Sequence, residues 1–486
     1  MHFGRSIAER PWLLLLIAFA VKLLQLLLLL VHHEIPLSGP WYFMGGDTTG
    51  YTEPIDSLLA GNGYLPDSRM PGYGAAYFLL RLVFSMDASM QVLVVLQVMA
   101  SALTVVLLAK LGEHLTKDRR IFWFTYLIGL VATFTSVYDR MILTESFSAA
   151  ALVLAVYMLF RRASAPGNTD ILIAGVSMAW LIFMKPVFVP ILGLLALVAF
   201  WRAGAPWNHA AVRAFLLLLP CLLAESAWIA RNAKLYGVFR PLSDGVISPA
   251  IRDDVKFPVM QLIQAYGGSF IWWDPNADIM FFNVRNEVVN TADLKGRSVT
   301  PPAYALTVGC PIDSLERIAE DVQRYYQSSD PTHRAILLSR VTDQCAFCKE
   351  EFRRTRPFHY QVTSRLRMLR VFLIHLGSPE LMARPFAQLA LFGKGVKLFY
   401  TAMYLCIALP GALWGVFLLL RRKTDPATRV VALIVLYGCL IFPAALRMTE
   451  SRYFSTFYPF TILLTVHLIV TLIDRSKRLG MVRSEA

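Results

Sequence analysis

The stretch Trp12–Val31, WLLLLIAFAVKLLQLLLLLV, decides the fold class of this chain. Its length is about that of an α-helix crossing the hydrocarbon core of a bilayer, roughly 20 residues. No cleavage site of small residues flanks it, so we interpret it as a retained first membrane span rather than a signal peptide. Because charge in hydrocarbon is costly, Lys22 in this run is predicted either to pair with Glu225 of a later run or to face a polar crevice separately.

The composition of the whole chain supports the same class. Of the 486 residues, 56% are hydrophobic and 16% are charged, against roughly 45–50% and ~25% in soluble proteins. Further apolar runs follow the first: Ser89–Leu111, Ile121–Val137, Ser146–Phe160, Ile171–Met184, Val187–Trp201, Ala214–Ala230, Lys397–Leu420, Val430–Leu446 and Phe457–Ile473. The sequence therefore predicts a mainly α, polytopic helical membrane protein with about ten transmembrane helices.

The basic residues predict the orientation of these spans. With a cytoplasmic N-terminus, every inner turn receives arginines or lysines, as the positive-inside rule requires: Arg5, Arg10, Lys110, Lys117, Arg119, Arg120, Arg161, Arg162, Arg202, Arg213, Arg421, Arg422, Lys423, Arg429, Arg475, Lys477, Arg478 and Arg483. Both termini are then cytoplasmic. Topology explains most of the net charge of +14, and a nucleic-acid partner is not predicted.

The spans divide the chain into three parts. Residues 1–230 form an N-terminal transmembrane module whose first external loop is 32–87, and residues 391–486 form the C-terminal transmembrane helices. Residues 231–390 lack long apolar runs and are predicted to form a small extracytoplasmic domain of mixed structure. Its basic run Arg353–Arg370 suggests a juxtamembrane amphipathic helix that touches lipid headgroups.

The cysteines of the external region permit a disulfide. Cys310, Cys345 and Cys348 fall in this region, where an oxidising compartment allows cysteines to pair. Zinc normally needs a second pair of ligands, and none is spaced for it. We favour a structural disulfide that involves Cys310, with the pairing left open and one cysteine left over.

The segment Gly45–Tyr73, GGDTTGYTEPIDSLLAGNGYLPDSRMPGY, is the first polar stretch after the apolar start. It places Asp47 among small residues, while Glu53 and Asp56 are interpreted as solvated acids near a helix start. The short outer turns carry few basic residues, so each outer cation needs a reason for its position. These cations are chiefly Arg140, Lys185, Arg447 and Arg452.

An ordered set of motifs on the outer side carries a family resemblance. The fragments are Gly46–Tyr51, Arg69–Tyr73, Leu143–Glu145, Lys185–Pro186, Arg231–Asn232 with Gly237, and Glu450–Tyr453 with Pro459. In this order the set resembles the GT-C superfamily of glycosyltransferases, in particular the branch of protein O-mannosyltransferases and of the bacterial aminoarabinose transferase that modifies lipid A. The resemblance covers nearly all of the transmembrane part but not the external region.

The resemblance implies an activity and a set of roles. It implies transfer of a sugar, with inversion, from a polyprenyl-phosphate donor to a lipid, glycan or protein acceptor outside the cytoplasm, in the inner (plasma) membrane of a bacterial cell. Asp47 matches the family's loop acid and is the expected general base, and Glu145 matches its acid at the fourth span. The leaving group is an anionic phosphate that needs cations, for which Arg69, Arg140, Lys185, Arg231 and Arg452 are candidates, and Tyr51, Tyr73 and Tyr453 are candidates for substrate contact.

Two questions remain open on the sequence. No Asp-x-Asp stands in the first loop, so no metal and no other cofactor is expected, although some members of the superfamily use a divalent ion. A transporter or flippase of a lipid-linked anion also suits many spans with a cationic outer cleft. It is disfavoured because the charged motifs gather at one surface instead of at helix breaks near the midplane.

Overall fold

The computed structural model describes residues 10–45, 47–64, 69–162, 165–202, 206–237, 239, 241–242, 254–268, 281–282, 301, 303–374, 386–421 and 423–484. Helices account for most of these residues, and no strand occurs among them. A single backbone bridge within these ranges joins Phe43 to Met141. The prediction of a mainly α chain is confirmed.

The helices succeed one another with short connections along much of the chain. In chain order they are α1 (Pro11–His32), α2 (Thr48–Leu59), α3 (Gly72–Arg81), α4 (Met86–Thr116), α5 (Arg119–Val131), α6 (Glu145–Phe160), α7 (Asn168–Met184), α8 (Val189–Trp201), α9 (Trp207–Tyr236), α10 (Lys256–Tyr266), α11 (Ile312–Gln327), α12 (Pro331–Thr355), α13 (Ser364–Leu373), α14 (Leu391–Leu420), α15 (Pro426–Leu440) and α16 (Tyr458–Ser484).

The predicted apolar runs fall mostly on these helices, although Ile121–Val137 crosses a break after Val131 and Val430–Leu446 extends into the turn Ile441–Leu446. Among the described residues, six helices are long and apolar enough to cross a membrane, namely α1, α4, α9, α14, α15 with its extension to Leu446, and α16. A seventh candidate is α5 together with Thr133–Arg140, which meet at a bend of 40°. The apolar helices α6, α7 and α8 are shorter. By length and composition, the chain is a multi-pass membrane protein.

The first helix illustrates how a membrane solvent shapes the packing. Leu14, Ala18 and Leu26 are fully buried against other helices, whereas Leu24 and Leu28 on other faces are more than half exposed. Leucines exposed in this way are unfavourable in water and favourable in lipid. An apolar helix with one packed side and one open side is what a peripheral membrane span requires.

Lys22 and Glu225, the two charged residues within apolar runs that the sequence allowed to pair, do not bind each other in the described structure. The ammonium of Lys22 donates to the carbonyl of Ala132 at 3.1 Å, to Ser136 Oγ at 3.0 Å and to Gln25 Oε1 at 3.3 Å. Glu225 Oε1 instead accepts the backbone N–H of Leu242 at 2.6 Å. Of the two alternatives, a mutual ion pair or separate polar surroundings, the second is therefore correct for Lys22 and Glu225.

The first external loop of the prediction contains two helices, α2 and α3. The second of them, α3, begins at Gly72 and ends at Arg81. Asp56 on α2 binds Arg81 Nε at 3.0 Å and accepts a hydrogen bond from Tyr77 at 3.2 Å. The interpretation of Asp56 as a merely solvated acid was therefore wrong, since it ties α2 to α3.

The chain divides into two compact units. The first comprises 1–247, 375–438 and 452–486, and the second comprises 248–374 and 439–451. The sequence had instead placed the boundaries of the external region at 231 and 390, and it had not anticipated that a segment near the C-terminus joins the second unit. The described elements of the second unit are helical, with α10 to α13 and a π-helical turn, Ile441–Leu446, at the end of α15.

The second unit has a core of its own, closed by a disulfide. Leu315, Ile318 and Val322 repeat at helical spacing on α11 and are fully buried, because apolar residues three and four apart share one face of a helix. Cys310 and Cys348 form a disulfide, which confirms a bond that involves Cys310. Cys345 is a buried free thiol. The basic run expected as one amphipathic helix is helical but interrupted at Arg356, because α12 ends at Thr355 and a π-helical turn, His359–Thr363, leads directly into α13.

Candidate active site

Five connections between helices bring the predicted site residues together in the first unit. Asp47 directly precedes α2, Glu145 opens α6, and Lys185 lies between α7 and α8. Arg69 precedes α3, and Arg452 belongs to the 3-10 turn Ser451–Thr456 before α16. All five therefore lie at helix ends, where the chain changes direction.

Backbone contacts hold the Asp47 segment against the entry to α6. The N–H of Phe43 donates to the carbonyl of Arg140 at 2.8 Å, and the N–H of Ile142 donates to the carbonyl of Phe43 at 3.1 Å. Thr48 Oγ1 then donates to the carbonyl of Ile142 at 3.2 Å. These bonds bring the start of α2 beside the start of α6.

A glycine allows α3 to approach the end of α7 closely. A Cβ at Gly72 would lie 2.5 Å from the carbonyl carbon of Phe183, which is too close for any side chain. The indole N–H of Trp180 donates to the carbonyl of Gly72 at 2.9 Å. This contact brings Arg69 and Tyr73 near Lys185, which follows α7.

Asp47 lies between two arginines. Arg69 Nη2 is 2.5 Å from Asp47 Oδ1, and Arg452 Nη2 is 2.6 Å from Asp47 Oδ2. Each carboxylate oxygen thus accepts from a different guanidinium. The side chains of Asp47, Arg69 and Arg452 are 24%, 31% and 20% exposed, so solutes can reach this triad.

Glu145 and Lys185 form a second, deeper pair. Lys185 Nζ donates to Glu145 Oε1 at 3.1 Å, and the two side chains are only 10% and 3% exposed. Glu145 Oε2 is buried and has no hydrogen-bond partner among the described residues. The residue Glu145 also lines a cavity of about 20 Å³, together with Ser101, Ser146 and Ser455, and this volume suits about one water molecule.

Aromatic rings lie beside both the Asp47–Arg69–Arg452 triad and the Glu145–Lys185 pair. The guanidinium of Arg69 lies 5.5 Å from the ring of Tyr51, which packs 5.1 Å from the ring of Tyr73. The ring of Tyr453 lies 5.1 Å from the guanidinium of Arg452 and 5.5 Å from Lys185 Nζ. Cations over tyrosine faces are stabilised by the ring quadrupole, so these rings hold the cations in position.

The electrostatics of the site follow from this crowding of charge. Burial raises the pKa of Asp47, but Arg452 and Arg69 outweigh it and leave the pKa of this carboxyl below its ordinary value. Burial lowers the pKa of Lys185, against the opposing effect of Glu145. Burial also raises the pKa of Tyr51 to about 12, so its hydroxyl stays protonated. The site presents three cations and two carboxylates to any ligand.

The two remaining predicted cations lie elsewhere. Arg231 donates to the carbonyl of Tyr64 at 2.5 Å and to Asn232 Oδ1 at 2.9 Å. The guanidinium of Arg140 lies 5.7 Å from the ring of Phe43. Neither contacts Asp47 or Glu145 in the described structure, and a role of either in phosphate binding stays a prediction.

The sequence reasoning missed the polar support behind the site. Gln97, deep in the apolar helix α4, accepts from the Tyr73 hydroxyl at 2.8 Å and donates to the carbonyls of Asp139 and Met141 at 2.8 Å. The carboxylate of the neighbouring Asp139 accepts from Ser101 and Ser146 at 2.5 and 2.6 Å. An amide within an apolar run was the signal that could have identified Gln97.

The described residues contain no group of three or more His, Cys, Asp or Glu placed to hold a metal ion, and metal independence stays a prediction. Comparison of the chain with protein-family models, with curated proteins and with solved structures gives no match. Any assignment of function therefore rests on the motifs and on the site geometry.

Proposed function

We propose that this chain is an integral-membrane glycosyltransferase that moves a sugar from a polyprenyl-phosphate donor to an extracytoplasmic acceptor. One observation carries the proposal. Arg69, Lys185 and Arg452 come from three distant parts of the chain and gather around two carboxylates at helix ends. A site of this kind suits a reaction in which a phosphate leaves while a hydroxyl loses its proton.

The cations suit the leaving group. As the bond between the anomeric carbon and the phosphate oxygen breaks, its electron pair goes to the phosphate and the negative charge there increases. Guanidinium groups bind phosphate oxygens in a bidentate manner, and preorganised cations stabilise developing charge more strongly in a partly dehydrated site. Because the leaving group is already an anion, it needs no general acid.

A carboxylate suits the acceptor. The acceptor hydroxyl oxygen forms a new bond to the anomeric carbon from the face opposite the phosphate, which inverts that centre. Its proton passes to a general base, for which we propose Asp47, the more exposed of the two carboxylates. Glu145, paired with Lys185, positions this cation.

The surroundings suit a lipid-linked donor. The long apolar helices place the chain in a membrane, and a polyprenyl chain would remain in the lipid while its phosphate reaches the helix ends. In the proposed topology, α6, α7 and α8 also span, which gives about ten spans, and both termini are cytoplasmic. The site then faces the periplasm or the cell exterior of a bacterial inner membrane.

The test is transfer of radiolabelled sugar from polyprenyl-phosphate donors by purified protein and its Asp47→Asn variant. General-base catalysis contributes about 10²- to 10⁴-fold, so the variant should lose activity by such a factor. Asp56→Asn is the matched control, since Asp56 is also an arginine-paired acid of the same segment but lies outside the cluster. Equal transfer by Asp47→Asn and the parent, with both folded, would exclude Asp47 as the base.

One observation favours a second function, transport or flipping of a lipid-linked anion. The break between α5 and Thr133–Arg140, with its bend of 40°, places the carbonyl of Ala132 next to the buried ammonium of Lys22. Broken helices with charged partners are common at transporter sites. Movement of fluorescent polyprenyl phosphate from one leaflet of a proteoliposome membrane to the other, without any sugar transfer, would favour this function over the first.

A further inference from the structure

The position of Asp47 raises a difficulty for its role as a base. Both carboxylate oxygens accept charged hydrogen bonds, one from Arg69 at 2.5 Å and one from Arg452 at 2.6 Å. A carboxylate bound in this way is a weak base, because the arginines stabilise its ionised form. A base that is this strongly paired needs a step that releases it.

We infer that Asp47 occupies the anion position between Arg69 and Arg452 in the absence of donor, and that the donor phosphate takes this position and so frees Asp47 to act as the base. This inference rests on the proposed function and deepens it. It makes donor binding and activation of the base one event.

The geometry of the arginines supports such an exchange. Arg69 and Arg452 approach one carboxylate from separate chain segments, so that two neighbouring oxygens of one anion bridge them. The non-bridging oxygens of a phosphate offer the same pair of acceptors, and arginine forks bind phosphate and carboxylate alike. A phosphate that bridges both guanidinium groups would therefore compete with Asp47 for the same donors.

The charge of the cluster supports the same conclusion. Arg69, Arg452 and Lys185 carry three positive charges against the two negative charges of Asp47 and Glu145 when all are ionised. One unbalanced positive charge remains, which a phosphodiester monoanion neutralises. The incoming anion does not need Asp47 to leave the site, only to give up one or both of its arginine contacts.

The exposed triad of Asp47, Arg69 and Arg452 can exchange its ion pairs for contacts with a ligand more easily than the buried pair of Glu145 and Lys185. Asp47, Arg69 and Arg452 keep 20–31% of their side chains exposed, whereas Glu145 and Lys185 keep 3% and 10%. The first triad is accessible to a ligand, and the second pair is fixed. Arg452 also donates to the hydroxyl of Tyr453 at 3.3 Å, which anchors it while its other contacts change.

Local structure leaves the Asp47 side chain free to move. Asp47 stands at the N-terminal cap position of α2, yet in the described structure its carboxylate makes no capping bond to the helix backbone. Apart from Gly45 itself and its chain neighbours, no described atom lies within 4 Å of the place where a Cβ on Gly45 would be. The arginines are thus the groups that hold this carboxylate, and loss of one of them lets it turn toward an acceptor.

The test is equilibrium binding of farnesyl phosphate to the full chain in nanodiscs, with farnesol and inorganic phosphate as parallel probes. A charge-assisted hydrogen bond is worth enough that removing the competing carboxylate should tighten binding by about tenfold or more. Asp47→Asn should therefore bind farnesyl phosphate about tenfold more tightly than the parent, although it transfers less sugar. Asp47→Glu, which keeps the charge, should show no such gain, and neither should Asp56→Asn.

The outcomes separate this inference from the proposed function. If the parent binds farnesyl phosphate and Asp47→Asn binds it equally or more weakly, with an unchanged unfolding midpoint, the exchange is refuted while the proposed function stands. If neither protein binds farnesyl phosphate better than farnesol, both are refuted. Equal affinity for inorganic and farnesyl phosphate would assign the exchange to free phosphate and refute the lipid-linked donor.

Discussion

Replacement of Lys185 by methionine tests whether the deeper ion pair is a structural requirement of the site. Lys185→Met keeps the length of the side chain and removes the ammonium that contacts Glu145 Oε1 at 3.1 Å. The carboxylate of Glu145 would then remain 3% exposed without a cation bound to it. Removing one partner of a buried pair destabilises proteins by about 3–5 kcal/mol.

The loss comes from the carboxylate that remains without its cation, because methionine keeps the length of the lysine side chain. We therefore expect Lys185→Met to lose about 3–5 kcal/mol in free energy of unfolding at pH 7.

The assay is denaturant unfolding in detergent micelles at pH 7, with a double-mutant cycle. Glu145→Gln combined with Lys185→Met should recover most of the loss, because no uncompensated charge remains. Arg120→Met is a control at an exposed pair, since Arg120 and Asp474 are both more than 40% exposed, and it should cause no measurable loss. A loss below about 1 kcal/mol for Lys185→Met at pH 7, or no recovery in the double variant, would refute the reasoning.

Two further predictions concern donor affinity and the second unit. Arg452→Ala should weaken farnesyl phosphate binding by about 10- to 100-fold, because a charge-assisted contact is lost. Arg140→Ala should change this affinity less than about twofold. Equal losses of affinity in binding titrations of the two variants would place Arg140 in the donor site. Cys310→Ser removes the disulfide to Cys348, whose two cysteines are 38 residues apart in the sequence. This change should destabilise the second unit by about 4 kcal/mol and so increase its rate of proteolysis. An unchanged rate of proteolysis would contradict a stabilising role of the disulfide.

The sequence predicted the helices of the first unit well because one physical requirement dominates them. In lipid, the backbone must satisfy its own hydrogen bonds, so each long apolar run becomes a helix. Composition does not determine where a run breaks. At the bend between α5 and Thr133–Arg140, the carbonyl of Ala132 binds the ammonium of Lys22. No local sequence pattern predicts a partner that lies 110 residues away in the chain.

The candidate site was predictable in its members and not in its pairings. The motifs singled out Asp47, Arg69 and Arg452 because polar residues at apolar helix ends need a reason to be there. That Asp47 would pair with residues 22 and 405 positions away could not be read from the chain, since ion pairs depend on tertiary packing. Arg231 has an equally conspicuous motif and instead binds the carbonyl of Tyr64.

The pairing of charges also bears on the choice of ligand. A cluster of cations without carboxylates would attract every phosphate near the membrane, including the headgroups of the surrounding lipids. With Asp47 and Glu145 in place, each cation already has an acidic partner, and a ligand must offer a better anion in the same geometry to displace Asp47. Specificity is a difference of affinities, and a resident carboxylate lowers the affinity for every anion that cannot bridge Arg69 and Arg452. The same carboxylate that would serve as base thus also restricts which phosphate can release it.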